Sequence, residues 1–222
     1  MRKQTANRRH FTQSLLAAGG LSVPWLSRSP AALGDEAAFY LPDETAPHER
    51  TFMQWPVSIR VHPESDFLFD LQSTIAAIAN TIAEFEPVVM LMDRKYAYTS
   101  RRLLSRDVEI WDVATEDLWA RDSGPLFVTN GAKLAIRSFN FNGWGDKQIH
   151  RNDGKIAGKI AERLSLPLLD NGLVGEPGGV ESDGEGTLLA HLSSWVNPNR
   201  NTSSEAEVSA LLLDALGAEK II

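Results

Sequence analysis

The chain contains no cysteine. That excludes a disulfide frame, a thiolate metal site and a thiol nucleophile within these residues. No glycine-rich fingerprint of a dinucleotide fold is present, and no phosphate loop, paired-histidine zinc motif or serine elbow. His48, His62, His150 and His191 lie far apart without metal-ligand spacing, so each reads as a surface or packing residue and no metal is expected. No apolar run is long enough to span a bilayer. Bases are also scarce, with 22 Lys and Arg against 29 Asp and Glu and a formal net charge of -7. Such a surface repels nucleic acid and anionic lipid and attracts cations, in a salt-dependent way.

What is present fits a soluble globular protein: 222 residues, 43% hydrophobic and 23% charged. Residues 1–34 do not read as fold. Arg2-Lys3 and Arg8-Arg9 precede the apolar run Leu15–Leu21, and Ser29–Gly34 supplies small residues, the order of an export signal. Arg8-Arg9 followed by Phe11 resembles a twin-arginine signal, which implies delivery to a bacterial periplasm. A short amphipathic helix is the alternative. The leader holds five bases and no acid, so residues 35–222 keep 17 bases against 29 acids, a net of -12.

The remainder alternates strand and helix patterns, which predicts an α/β fold built from repeating units. Strands are expected at Thr51–Trp55, Val88–Met92, Val108–Val113, Leu126–Val128, Lys133–Phe141 and Leu188–Leu192, with another opening at Lys220. Apolar spacing predicts helices over Phe67–Phe85, Lys95–Leu104, Gly154–Leu164 and Glu205–Leu216, the last capped by Ser203 or Ser204. Phe67, Leu68, Leu71, Ile75, Ile78, Ile82 and Phe85 would form one core face of the first helix.

Two stretches carry chemistry. Glu116–Pro125 packs three carboxylates, Trp119 and Arg121 into ten residues that end in Gly-Pro. A carboxylate beside an aromatic at the lip of a sheet suits recognition of a planar cation. The plain alternative is a turn whose Asp caps the next segment and whose Trp is core. Gly175–Thr187 holds Glu176, Glu181, Asp183 and Glu185 among glycines. It lacks the ligand order of a calcium loop, and Asp183-Gly184 signals a hairpin turn. Glu176 stands outside that hairpin and needs a separate reason.

Five segments together resemble the agmatine deiminase family, close to the bacterial peptidyl-arginine deiminases of the guanidine-modifying (pentein) superfamily. They are Pro47-His-Glu-Arg-Thr-Phe-Met-Gln-Trp-Pro56, Asp117-Leu-Trp-Ala-Arg-Asp-Ser-Gly-Pro125, Phe139-Asn-Phe-Asn-Gly-Trp-Gly145, Asp183-Gly-Glu-Gly-Thr-Leu-Leu189 and Asn197-Pro-Asn-Arg-Asn201. The resemblance covers about residues 39–222 and implies a partial α/β-propeller of ββαβ blades, an incomplete ring. It implies hydrolysis of a guanidinium to a ureido group and ammonia without cofactor, on a small cationic substrate, agmatine or an arginine side chain. With agmatine that step leads toward putrescine. The family's guanidinium-binding aspartate falls on Asp122 and its glutamate on Glu176, where Pro177 replaces a glycine. Trp119 and Trp144 fall near the substrate, as aromatic walls or as packing. The family's His-x-Asp motif and nucleophilic cysteine fall beyond Ile222. The chain is therefore expected to hold part of a deiminase site and to be inactive as given. A non-catalytic guanidinium-binding module and a non-functional remnant are the alternatives.

Overall fold

The computed structural model describes residues 38–222. The leader expected at residues 1–34 lies outside the described residues. Nine strands form three sheets of three: β1 (Thr51–Gln54), β2 (Val88–Met92) and β3 (Val108–Asp112); β4 (Leu126–Thr129), β5 (Leu134–Ser138) and β6 (Leu168–Asp170); β7 (Val180–Ser182), β8 (Thr187–Ala190) and β9 (Lys220–Ile221). Three longer helices, α1 (Ser65–Ile82), α2 (Ile156–Leu164) and α3 (Glu205–Leu216), accompany them. The second and third sheets each pair an antiparallel hairpin with a third, parallel strand reached through α2 or α3. These are ββαβ units, as expected. The first sheet is parallel throughout, in the order β1-β2-β3.

β2 explains the layering. All five of its residues, Val-Val-Met-Leu-Met, are buried. Side chains alternate across a strand, so Val88, Met90 and Met92 join a core with Ala76 and Ala79 of α1. Val89 and Leu91 face the other way, into a core with Ile156 and Ile160 of α2. Ile136 of β5 closes that second core, while its neighbour Ala135 faces a third, built with Leu188 of β8 and Val208, Leu212 and Leu216 of α3. The sheets also meet directly, Phe52 of β1 stacking on Phe127 of β4. Proline at 87 suits the mouth of β2, where its missing N–H costs nothing.

Three expectations need correction. The core face of α1 is Leu68, Ile75, Ala76, Ala79 and Ile82, whereas Phe67, Phe69, Ile78 and Phe85 are exposed. The small alanines let the helix lie close on β2, and that approach leaves no room for the aromatics. The helix expected over Lys95–Leu104 is only a 3-10 turn, Arg94–Tyr96, followed by the single turn Ala97–Ser100. Thr99 and Ser100 donate their hydroxyls to the Tyr96 and Ala97 carbonyls, which competes with helix propagation. β5 stops at Ser138 because Asn140 takes a left-handed conformation and ties its amide to Asp170 and Leu173. The hairpin at Asp183-Gly184 and the capping box of Ser204 with Glu207 are both present.

Candidate functional site

The three carboxylates of Glu116–Pro125 part company in the fold. Glu116 and Asp117 turn inward and are buried. Glu116 accepts from the backbone N–H of Asn152 and Asp153, just before α2, at 2.8 and 2.9 Å. Asp153 returns the contact, accepting from the N–H of Glu116 and Asp117 at 2.8 and 3.1 Å. Asp117 also accepts from His62 Nε2 and Gln148 Nε2, both at 2.8 Å. Gln54, at the end of β1, donates to Asp153 and accepts from Ser123 Oγ at 2.7 Å. This network pins both ends of the segment 116–123 and leaves Asp122, half-buried, outside it.

Asp122 sits on the single helical turn Ala120–Ser123, against the 3-10 turn Pro177–Gly179. The approach is close enough that a Cβ at Gly178 would lie 2.4 Å from Asp122 Oδ1 and would push that carboxylate aside. Burial pushes the Asp122 carboxyl above its ordinary range, and the charge of Glu176 adds to that. A hydrogen bond from the Trp144 indole and the charge of Arg121 pull it back. Two carboxylates 54 positions apart in sequence therefore share one electrostatic environment.

Trp144 reaches Asp122 from an unusual turn. Gly143, Trp144, Gly145 and Asp146 all have positive φ (66°, 58°, 84° and 59°), a single left-handed turn closed by Asp146 N–H to Asn142 O at 2.8 Å. A non-glycine residue in this region costs roughly 1 kcal/mol or more, so Trp144 and Asp146 hold strain. Asn142 helps support it by accepting from Gly145 N–H at 2.9 Å, and Phe141 packs edge-on against Trp144 at 5.0 Å. The sequence left Trp144 as wall or packing. Its indole pulls the raised Asp122 carboxyl back down. Trp119, at 51% exposure, is solvent-facing, so it is not core.

Glu176 is buried, and its nearest partner is not a ligand but Arg200, whose Nε and Nη2 both donate to Oε1 at 3.1 and 2.8 Å. Pro177 takes the first position of the 3-10 turn, where a missing N–H is harmless. Among the described residues no group of three His, Asp or Glu is placed to hold a metal ion, and no helix is long and apolar enough to cross a membrane. A cavity of about 710 Å³ lies elsewhere, between residues 41–50 and β4, with Phe52, Phe127, Leu134 and Leu166 in its walls. Neither Asp122 nor Glu176 lines it, and Arg121 there is already paired with Glu44 at 2.5 Å.

Sequence reasoning singled out Asp122, Glu176, Trp119 and Trp144, and the fold brings the first two and Trp144 near one another. It passed over Arg200, although Arg200 lies in a motif already singled out. It also missed Asp153, Gln54 and Ser123, which no local pattern marks. His62 and His150 are packing residues, on Asp117 and on Gln148 O with the ring of Phe141.

A family model described as Porphyromonas-type peptidyl-arginine deiminase matches residues 40–222. A provisionally named agmatine deiminase of Streptomyces coelicolor is 38% identical over 182 residues, covering 78% of this chain and 54% of that protein. One from Pectobacterium atrosepticum is 32% identical over 192 residues, covering 83% and 51%. Among solved structures, an agmatine deiminase of Enterococcus faecalis superposes with a TM-score of 0.76 at 26% identity, over 83% of this chain and 52% of that one. The chain spans about half the length of the curated relatives it matches. With a match that runs through all five motif segments, the chain belongs to the Porphyromonas-type peptidyl-arginine deiminase family.

Proposed function

We propose that these residues supply the cation-holding part of a guanidine-hydrolysing site, in which Asp122 and Glu176 take the guanidinium nitrogens and Trp119 offers a flat face. The observation that carries this reading is the packing of the Asp122 turn on the turn that follows Glu176, with Gly178 against Asp122 and the Glu176 charge felt at its carboxyl. Paired carboxylates fix a planar cation through charge-assisted hydrogen bonds and hold its carbon in line for attack. The reaction of the whole enzyme is then water replacing ammonia at the guanidinium carbon of agmatine or of an arginine side chain. The sequence has no cysteine, so no thiol stands ready for that attack. In this reading the 222 residues bind but do not turn over. The three sheets are blades of a larger propeller, and the exposed Leu189 and Ile222 on the side of the third sheet away from α3 suit contact with a further unit. The leader with Arg8-Arg9 sends the protein to a periplasm, which a reporter fused to residues 1–34 would test.

Calorimetry of the purified chain with agmatine, with putrescine as the control that lacks a guanidinium, tests the binding. Measurable heat with agmatine alone is expected, and Asp122→Asn should abolish it. Equal response to both amines, or none to agmatine, removes the reading. Ammonia release by the chain alone would overturn the claim that it does not turn over. A non-catalytic guanidinium-binding module is the second reading, favoured by the lack of cysteine. It differs in that binding should serve without any partner polypeptide restoring ammonia release.

A further inference from the structure

We propose that Arg200 is the positioning residue of this site and sets the charge a ligand meets there. The proposal rests on the guanidinium reading above. Arg200 and Glu176 form a buried pair, with side chains 11% and 5% exposed. A carboxylate so enclosed requires a counter-charge, and a guanidinium fork also fixes its direction. Both Arg200 bonds go to Oε1, so the carboxylate is gripped by one oxygen and Oε2 is not used by the pair.

The loop that carries Arg200 is itself tied to both halves of the site. Asn201 donates to Val174 O and accepts from Val174 N–H, two residues before Glu176, at 2.8 and 3.0 Å. On the other side Asn199 O accepts from Asn142 Nδ2 at 2.8 Å, at the base of the turn that carries Trp144. One loop, residues 197–201, therefore sets Glu176 directly and braces the turn that supports Asp122. This explains why a polar loop far from either carboxylate in sequence lies at the centre of the arrangement.

The charges then count simply. Asp122 and Glu176 lie near enough for their charges to interact, Arg200 pairs with Glu176, and Arg121 pairs with Glu44. One negative charge remains for the ligand, which complements a single delocalised cation. Without Arg200 two partly desolvated carboxylates would confront each other, and Glu176 would lose its direction.

The test uses the full chain and methylguanidinium, a monocation without other groups, with the Trp144 indole N–H as the NMR reporter. Arg200→Gln should weaken binding about tenfold, and Arg200→Lys by less, since charge survives without the fork. On a Glu176→Gln background the same Arg200→Gln change should alter affinity less than about twofold, because Arg200 acts through Glu176. A purely structural role would give equal losses on both backgrounds, and that additivity overturns the proposal. So does unchanged affinity in Arg200→Gln. Circular dichroism and thermal unfolding establish that each variant folds, and if Arg200→Gln does not, Arg200→Lys with and without Glu176→Gln gives the same cycle. A wild-type chain that binds no guanidinium removes the underlying reading and this one with it, an outcome distinct from binding without coupling.

Discussion

Glu116 and Asp153 cap each other across the two segments they hold together. Each carboxylate accepts backbone N–H groups from the other's segment, Asn152 and Asp153 toward Glu116, Glu116 and Asp117 toward Asp153. Among the described residues no lysine or arginine pairs with either carboxylate, so backbone dipoles do the work that such a base would do in an ordinary buried bridge. The arrangement anchors the start of α2 to the strand-end segment that carries Asp122.

That arrangement makes stability pH-dependent with a definite sign. Burial, with the neighbouring charges of Glu116 and Asp117, pushes the Asp153 carboxyl up to about 7 against the backbone bonds that oppose it. The folded value lies above the unfolded one, so the folded state keeps a proton that the unfolded state gives up. The stabilisation is complete below the unfolded value near 4 and is lost as pH rises toward 7, at roughly 1 kcal/mol per pH unit. The difference in unfolding midpoint between wild type and Asp153→Asn should therefore change steadily from pH 5 to pH 7. Parallel curves over that range would refute it.

The left-handed turn makes a second, geometric prediction. A Cβ at Gly143 would lie 2.4 Å from Gln148 O and 2.7 Å from His150 Nδ1, at a φ of 66°. Gly172 has a similar φ of 80° but open space around it. Gly172→Ala should cost only the conformational strain, about 1 kcal/mol, while Gly143→Ala adds a steric clash and should cost well over about 2 kcal/mol. Chemical denaturation measures both. Equal losses would mean that the turn yields without resistance.

Ligand binding should depend on pH through Asp122. Its carboxyl is raised, chiefly by burial and then by Glu176, and only its charged form attracts a guanidinium. Affinity for methylguanidinium should fall as pH drops through that raised value, and should rise to a plateau above it. Asp122→Asn should bind weakly at every pH. A flat wild-type profile from pH 4 to pH 8 would place the ligand elsewhere.

Much of the fold was legible because its signals are local. β2 announces itself as an unbroken apolar run behind a proline, and α3 by Ser204 and Gly217 at its ends. The face of α1 was misread because Phe67 and Phe85 fit a helical stripe as well as the alanines that actually pack. Periodicity does not tell which of two apolar sides lies against a sheet. Asp122 and Glu176 were found through motif resemblance. Arg200, Asp153 and Gln54 act across 24, 36 and 99 positions of sequence, and such pairings have no local pattern to betray them.

Trp144 decides between two roles that its sequence position left open, a wall for the ligand or support for a carboxylate. Trp144→Phe keeps an aromatic ring that can still pack on Phe141 but removes the indole N–H that holds the Asp122 carboxyl down. Losing that bond raises the Asp122 carboxyl further, since the bond pulls it down. If support is the role, Trp144→Phe should weaken methylguanidinium binding by several-fold near neutral pH, and higher pH should restore it as Asp122 ionises. The cost in stability should be about 1 kcal/mol, that of one hydrogen bond at a half-buried group. If the ring is a wall, phenylalanine should serve nearly as well at every pH, and Trp144→Ala should cause a loss that pH does not repair. Calorimetric titrations of the two variants at pH 5.5 and pH 8.5 separate the cases. A Trp144→Phe loss identical at both values would remove the hydrogen bond from any account of how Asp122 is kept charged.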